Sequence, residues 1–351
     1  MSNRKTTERF RAGIIGCGAI TEHLHAPDYA VCEDAAITAL CDTNLARAQE
    51  MQARFAPDAT VYSDYKEMLR KEPLDGVTIT LPNVLHATVT IAALKAGCHV
   101  LVEKPMAASL AEAKRMIAAA KQAGKLLMVN QCQRRSAVHR KAKEVLDSGI
   151  LGKVLTVAAC FGHEGPENWS PSGKWFFKKD QARFGAMADL GVHKADLVRF
   201  LTGKEVAEVT AFTACLEKKR TTVEDNFVSC LRFTDGTIGT LAASWTTKGM
   251  DADYVILHCA NGTLRVNEIP GKPLIANLVK PECMIEFEMP DALSVYENAW
   301  GLGVSKGFVR AARGQEDPFC PGVEGARSLA IILACEKAAE SGKTVKVAHI
   351  K

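Results

Sequence analysis

Ala12-Gly13-Ile14-Ile15-Gly16-Cys17-Gly18-Ala19-Ile20-Thr21 reads as a short apolar strand, a glycine turn and the opening of a helix. Such a unit binds a dinucleotide when its first glycine makes the tight turn and its second lets backbone N–H groups approach a pyrophosphate at the positive end of the helix dipole. Gly16 and Gly18 occupy those two places, and Ala19 and Ile20 begin the helix. The third glycine of the full pattern is replaced by Thr21. A lone G-x-G is weak, because many are ordinary turns. The next strand strengthens it. Ala36 to Cys41 ends at Asp42, which lies 24 residues past Gly18, close to the roughly 20 at which an acid accepts hydrogen bonds from an adenosine ribose. A carboxylate there repels a 2′-phosphate; Thr43 and Asn44 offer no cation, and Arg47 is the nearest one. NAD is therefore expected in preference to NADP.

Working outward, strand-like runs at Val77 to Leu81, Cys98 to Val102 and Leu126 to Val129 alternate with helix-like segments, the sign of a parallel sheet with crossover helices. Between the last two, Ser109 and Glu112 form a capping box, and Gly124 is placed to end the helix. Beyond about residue 130 the pattern changes. A helix near His139 to Leu146 precedes strand-like runs at 154–160, 206–215, 226–233, 237–245, 254–259, 263–267, 274–279 and 283–288. Asp235-Gly236 and Asn261-Gly262 are hairpin turns between such runs. Helices are expected at Met187 to Leu201, 296–313 and 323–341. The fold class is α/β: a nucleotide-binding domain over 1–130, then a domain over 131–351 with a large, mostly antiparallel open sheet for substrate and subunit contacts. The last helix is free to pack on either.

Composition excludes other classes. With 351 residues, about two domains are expected. The 44 Lys and Arg against 40 Asp and Glu leave a net charge of +4 with no long run of either sign, so no nucleic-acid footprint stands out. No apolar run approaches the ~18 residues that span a bilayer, and the start is polar, so a cytoplasmic protein is expected. Twelve cysteines without a C-x-x-C pair read as reduced core side chains.

The strand Cys98 to Val102 runs into Glu103-Lys104-Pro105. A lysine at the carboxyl end of a central strand faces the ligand crevice, where its ammonium would stabilise a developing alkoxide; an isolated lysine is otherwise a solvated residue. In Asp189-Leu190-Gly191-Val192-His193, Asp189 and His193 fall one helical turn apart, with Asp196 almost one turn further. That spacing suits an acid/base pair with His193 as proton acceptor, a structural Asp/His hydrogen bond, or two metal ligands; no second ligand cluster supports a metal. Trp169 and Trp175, with Phe176 and Phe177, precede this helix and offer either an apolar wall for a sugar ring or local packing.

Gly16-Cys17-Gly18, Asp42, Pro82-Asn83 with His86, Glu103-Lys104-Pro105 and Asp189-x-Gly191-x-His193 together resemble the glucose–fructose oxidoreductase/inositol dehydrogenase (Gfo/Idh/MocA) family over essentially the whole chain. The resemblance implies a Rossmann domain, a nicotinamide cofactor, sugar, cyclitol or polyol substrates, and a homodimer or homotetramer built through the open sheet. It implies Lys104, Asp189 and His193 as the catalytic set, Glu103 beside the nicotinamide, Pro82, Asn83 and His86 in the cofactor crevice, and a proline after Lys104 that is often cis. His193 would take the hydroxyl proton, Lys104 would steady the oxygen, and Asp189 would orient His193 or a second hydroxyl. Two rivals share the fold: a redox-neutral glycosidase or lyase that oxidises its sugar transiently, and a non-catalytic nucleotide sensor.

Overall fold

Strands buried on both faces carry the first half of the chain. In the computed structural model, which describes residues 8–289 and 303–350, six strands form one sheet: β1 (Phe10–Ile15), β2 (Ala35–Cys41), β3 (Thr60–Tyr62), β4 (Gly76–Ile79), β5 (His99–Val102) and β6 (Leu127–Val129). Their order is β3-β2-β1-β4-β5-β6, and every neighbouring pair is parallel. The order reverses between β1 and β4, which opens a crevice at the carboxyl ends of these strands. β3 was not expected from the sequence; three residues at a sheet edge are too short for a period to show. The helix Leu110–Ala123 is capped as its sequence requires. Ser109 Oγ accepts the Glu112 N–H at 3.3 Å, Glu112 Oε2 accepts the Ala108 N–H at 3.1 Å, and Gly124 turns left-handed at φ +61°.

Nine strands form the second sheet: β7 (Val154–Gly162), β8 (Val206–Ala214), β9 (Asn226–Phe233), β10 (Ile238–Ser244), β11 (Ala252–Cys259), β12 (Gly262–Ile269), β13 (Lys272–Val279), β14 (Glu282–Glu286) and β15 (Val345–Lys346). Their order is β14-β13-β12-β11-β7-β10-β9-β8-β15. The two turn dipeptides join antiparallel hairpins, β9 to β10 and β11 to β12. The exception to antiparallel pairing is β7 with β10. In β9, Phe227, Ser229, Leu231 and Phe233 face the core while Val228, Cys230 and Arg232 face outward. Phe212 and Ile238 join Val228 as exposed apolar side chains, Phe212 at 81%.

Helix Gly322–Ser341 belongs to both halves. Ala326, Leu329 and Ala330 pack in the first core, Ile331, Ile332 and Cys335 in the second. Gly325 permits the approach, since a Cβ there would stand 2.5 Å from Val129 Cγ2. The helix Val304–Ala312 returns to the half that holds β1 to β6, with Phe308 edge-on to Phe10 at 5.9 Å; the start of the helix expected over 296–313 lies outside the described residues. Among the described residues no helix is long and apolar enough to cross a membrane.

Candidate active site

The glycine turn is built for a close approach. Gly16 has φ +104°, and a Cβ on it would fall 2.5 Å from the Thr80 carbonyl oxygen; a Cβ on Gly18 would meet nothing within 4 Å. The first therefore packs the turn, and the second leaves its outer face open. Thr21, in the third position, is fully buried, and its hydroxyl donates to the Gly16 carbonyl at 2.7 Å and lies 2.9 Å from Thr80 Oγ1. A hydroxyl thus closes the turn where a third glycine is absent. Ala19 and Ile20 open the helix, whose first N–H groups have no intrahelical acceptor. Asp42 stands beside them: Oδ2 accepts the Cys17 N–H and Oδ1 the Asn44 N–H, both at 2.8 Å. Arg47 is half-buried in the first turn of the following helix, Leu45–Phe55. Free amides, an open glycine face and a fixed carboxylate fit a dinucleotide's diphosphate and ribose.

At the end of β5, Glu103 is 6% exposed. Its Oε1 lies 2.7 Å from His25 Nε2 and accepts the Asn130 amide at 2.6 Å. Burial pushes this carboxyl up, but His25, Lys104 and Asn130 outweigh it and hold the pKa below its ordinary value. The Lys104–Pro105 peptide is cis. Lys104 Nζ donates to both Asp189 Oδ1 and the Asp189 carbonyl, each at 2.8 Å. Burial opposes its charge; Asp189 and Glu103 win, and the ammonium pKa is raised.

Asp189 lies on a π-helical turn, Met187–Gly191, that runs into the helix Val192–Thr202. Its Oδ2 accepts the indole N–H of the fully buried Trp245 at 3.0 Å. The expected pairing of Asp189 with His193 is not formed; the carboxylate binds Lys104 and Trp245 instead. His193 Nδ1 is buried without a hydrogen-bond partner, and the ring sits 5.9 Å from Phe161. Burial, then Lys104 and Lys194, hold its pKa well below the ordinary value, so the imidazole is neutral. Ile20, Glu103, Lys104, Trp169, Asp189 and His193 all line one cavity of about 440 Å³. A narrower extension holds Asn83 and Trp175.

Other expected residues sit differently. His86 is fully buried and off the crevice surface, wedged 2.9 Å from the Pro105 carbonyl and 2.8 Å from that of Leu81, because a ring at this helix start fills the gap between two loops. Burial lowers its pKa. Pro82 is half-buried beside Asn83, whose amide donates to the Ala182 carbonyl at 2.8 Å across the two halves. Asp196 turns away from the cavity to Arg134, at 2.6 and 2.8 Å. Trp175 stacks on Phe176 with centroids 3.9 Å apart, and Trp169 meets Phe176 edge-on at 5.3 Å, so both tryptophans are packed and cavity-lining at once. Residues missed from the sequence are Trp245, His25 and Asp253, the last paired with Lys194 and Gln133. Trp245 ends an expected strand, the one signal that pointed to it. Among the described residues no group of three His, Cys, Asp or Glu stands close enough to hold a metal.

Residues 10–131 match the oxidoreductase family with an NAD-binding Rossmann fold, and residues 139–265 match the GFO/IDH/MocA C-terminal domain. The chain belongs to the GFO/IDH/MocA oxidoreductase family. This GFO/IDH/MocA protein is 29% identical over 283 residues to 1,5-anhydro-D-fructose reductase of Ensifer adhaerens, covering 80% of this chain and 82% of that one. It is 25% identical to myo-inositol 2-dehydrogenase of Thermotoga maritima over 97% of this chain and 99% of that one. The WlbA dehydrogenase of Bordetella pertussis, solved with NADH and UDP-GlcNAcA, superposes with a TM-score of 0.84 at 26% identity, covering 98% and 99% of the two chains.

Proposed function

We propose that this protein is an NAD(H)-dependent dehydrogenase acting on a secondary alcohol, or the matching ketone, of a sugar, cyclitol or related polyol. One observation carries the proposal: Lys104 from the nucleotide half and Asp189 and His193 from the other half line a single cavity beside Glu103. The names of the relatives, a sugar reductase and an inositol dehydrogenase, support the substrate class. Bound NAD supplies the hydride acceptor or donor. The amides of Gly18, Ala19 and Ile20 hold its diphosphate, and Asp42 its ribose. Lys104 donates to the reacting oxygen and steadies negative charge there. Asp189, fixed by Trp245, holds Lys104 in place. With Nδ1 of His193 enclosed, Nε2 is the nitrogen that accepts the hydroxyl proton, and the ring is already neutral for that task. Trp169 and Trp175 present apolar faces to the sugar ring's C–H groups.

The test is single-turnover NADH formation across free sugars, cyclitols and glycosides. His193→Ala and Lys104→Met are each expected to slow it about a hundredfold or more; wild-type rates in both would remove them from the mechanism. The open sheet face with Phe212, Val228 and Ile238 supports a homodimer or homotetramer, and twelve free thiols support a reducing, cytoplasmic setting.

A further inference from the structure

Gly185, Ala186 and Met187 lead into the turn that carries Asp189, and the amides of all three end on one distant residue. Glu224 Oε1 accepts the N–H of Gly185 at 2.8 Å and of Met187 at 3.0 Å, and the Glu224 carbonyl accepts that of Ala186 at 3.0 Å. The approach is so close that a Cβ on Gly185 would lie 1.8 Å from the Glu224 carbonyl oxygen. The Gly185 carbonyl in turn accepts the Asp189 N–H at 3.0 Å. Glu224 is therefore two hydrogen bonds from Asp189, and Asp189 binds Lys104 and Trp245.

We propose that Glu224 is a positioning residue for the reaction: its ionised carboxylate fixes the start of the π-helical turn, and with it Asp189 against Lys104, and its protonation loosens that clamp. The proposal rests on Lys104 and Asp189 serving the chemistry described above. Charge-assisted bonds to backbone N–H groups are about twice as strong as neutral ones, so losing the charge weakens both Oε1 contacts together.

The surroundings let this carboxyl change state. It lines a cavity of about 420 Å³ whose walls include none of Lys104, Asp189 and His193. Lys179 and Arg183 face it from the chain before the turn, Glu336 and Glu340 from the helix Gly322–Ser341, and Cys215 from the residue after β8. Arg183 is engaged by Glu336, with contacts of 2.7 and 2.9 Å. The adjacent Asp225 turns to the amides of Leu216, Glu217 and Lys218. Burial, with Glu336 adding to it, pushes the Glu224 carboxyl up to about 7 against its backbone bonds. His193 lies well below its ordinary value and Lys104 above, so neither changes charge between about pH 6 and 8. A rise in kcat with pH through about 7 that is lost on removing the Glu224 carboxyl belongs to Glu224, ionised and clamping above it, neutral below it.

The Trp245 indole N–H, bonded to Asp189, is a reporter that needs neither cofactor nor substrate. Its ¹⁵N–¹H signal in the free protein, assigned with Trp245→Phe, is expected to shift with an inflection near pH 7. In Glu224→Gln the inflection disappears, kcat falls about tenfold with KM for the polyol little changed, and the pH limb flattens; Glu224→Asp restores part of both. A wild-type indole signal flat from pH 6 to 8, or an inflection that persists in Glu224→Gln, overturns the proposal. A flat wild-type signal overturns the proposal whether or not the variants fold, and Glu224→Asp serves for the assignment if Glu224→Gln does not fold. A chain that lacks NAD-linked turnover yet shows the Trp245 titration overturns the catalytic reading and leaves the clamp standing.

Discussion

Replacing Lys104 by Met would leave the Asp189 carboxylate, 6% exposed, with the Trp245 indole at 3.0 Å as its remaining side-chain donor. Breaking a buried ion pair from one side costs roughly 3–5 kcal/mol. Lys104 keeps 16% of its side chain exposed to the cavity, so water reaches the orphaned charge and the loss is expected to be about 2–3 kcal/mol. Asp189→Asn breaks the pair from the other side at about 2 kcal/mol, while its amide oxygen still accepts the indole N–H. The double variant Lys104→Met/Asp189→Asn holds no unpaired charge, so its cost falls short of the sum by about 2 kcal/mol. Equilibrium urea unfolding of the four proteins at 25 °C and pH 8, followed by circular dichroism, measures the cycle. All three variants are expected to react about a hundredfold or more slowly, including the one whose stability returns, which separates the pair's structural role from its chemical one. Losses that add within about 0.5 kcal/mol would refute a desolvated pair.

Two further outcomes follow from the same geometry. Asp42→Ala removes the carboxylate that opposes a 2′-phosphate beside the Cys17 amide, and fluorescence titration is expected to show the NADP-to-NAD dissociation-constant ratio falling about tenfold or more. Asp196→Asn takes the charge from a group 1% exposed and bonded to Arg134 and Ser328; unfolding is expected to show a loss of about 3 kcal/mol, and kcat at the permissive temperature is expected to fall about tenfold as the helix carrying His193 loses its register.

The parts of this molecule legible in its sequence are those whose partners are near in the chain or whose burial is periodic. β1, β2, β4 and β5 are apolar because both faces are covered, and each announces itself; so do the Ser109 cap and the two hairpin turns. Lys104, Asp189 and His193 were legible as motifs, but their pairing was not. Helical spacing suggested Asp189 with His193, whereas the ammonium of a residue 85 positions earlier claims the carboxylate. Trp245 and Glu224 reach the same turn from β-rich chain far along the sequence, and no period links them to it. The parallel register of β7 and β10 depends likewise on strands separated by most of a domain. His86, which the family resemblance implies for the cofactor crevice, has its ring enclosed between two loop carbonyls, contacts that no local pattern announces.

The helix Val192–Thr202 shows why so much charge is buried around this site. His193, Lys194, Asp196 and Arg199 are all less than 10% exposed. On one side of the helix His193 meets the cavity; on another, Asp196 and Arg199 join Arg134, Glu324 and Ser328 in a cluster that ties the chain after β6 to the helix shared by both halves. Such a cluster is poorly accounted for as stabilisation, since apolar residues of equal volume often do as well or better. Its bonds are directional, however, and a bidentate carboxylate–guanidinium pair admits one register where an apolar contact tolerates several. Hydride and proton transfer demand that side chains from two halves of the chain stay within about 0.5 Å of a working arrangement. Lys104 is anchored in one half and His193 in the other, so the helix between them has to be fixed along its axis and about it, and the charges on its far side do that.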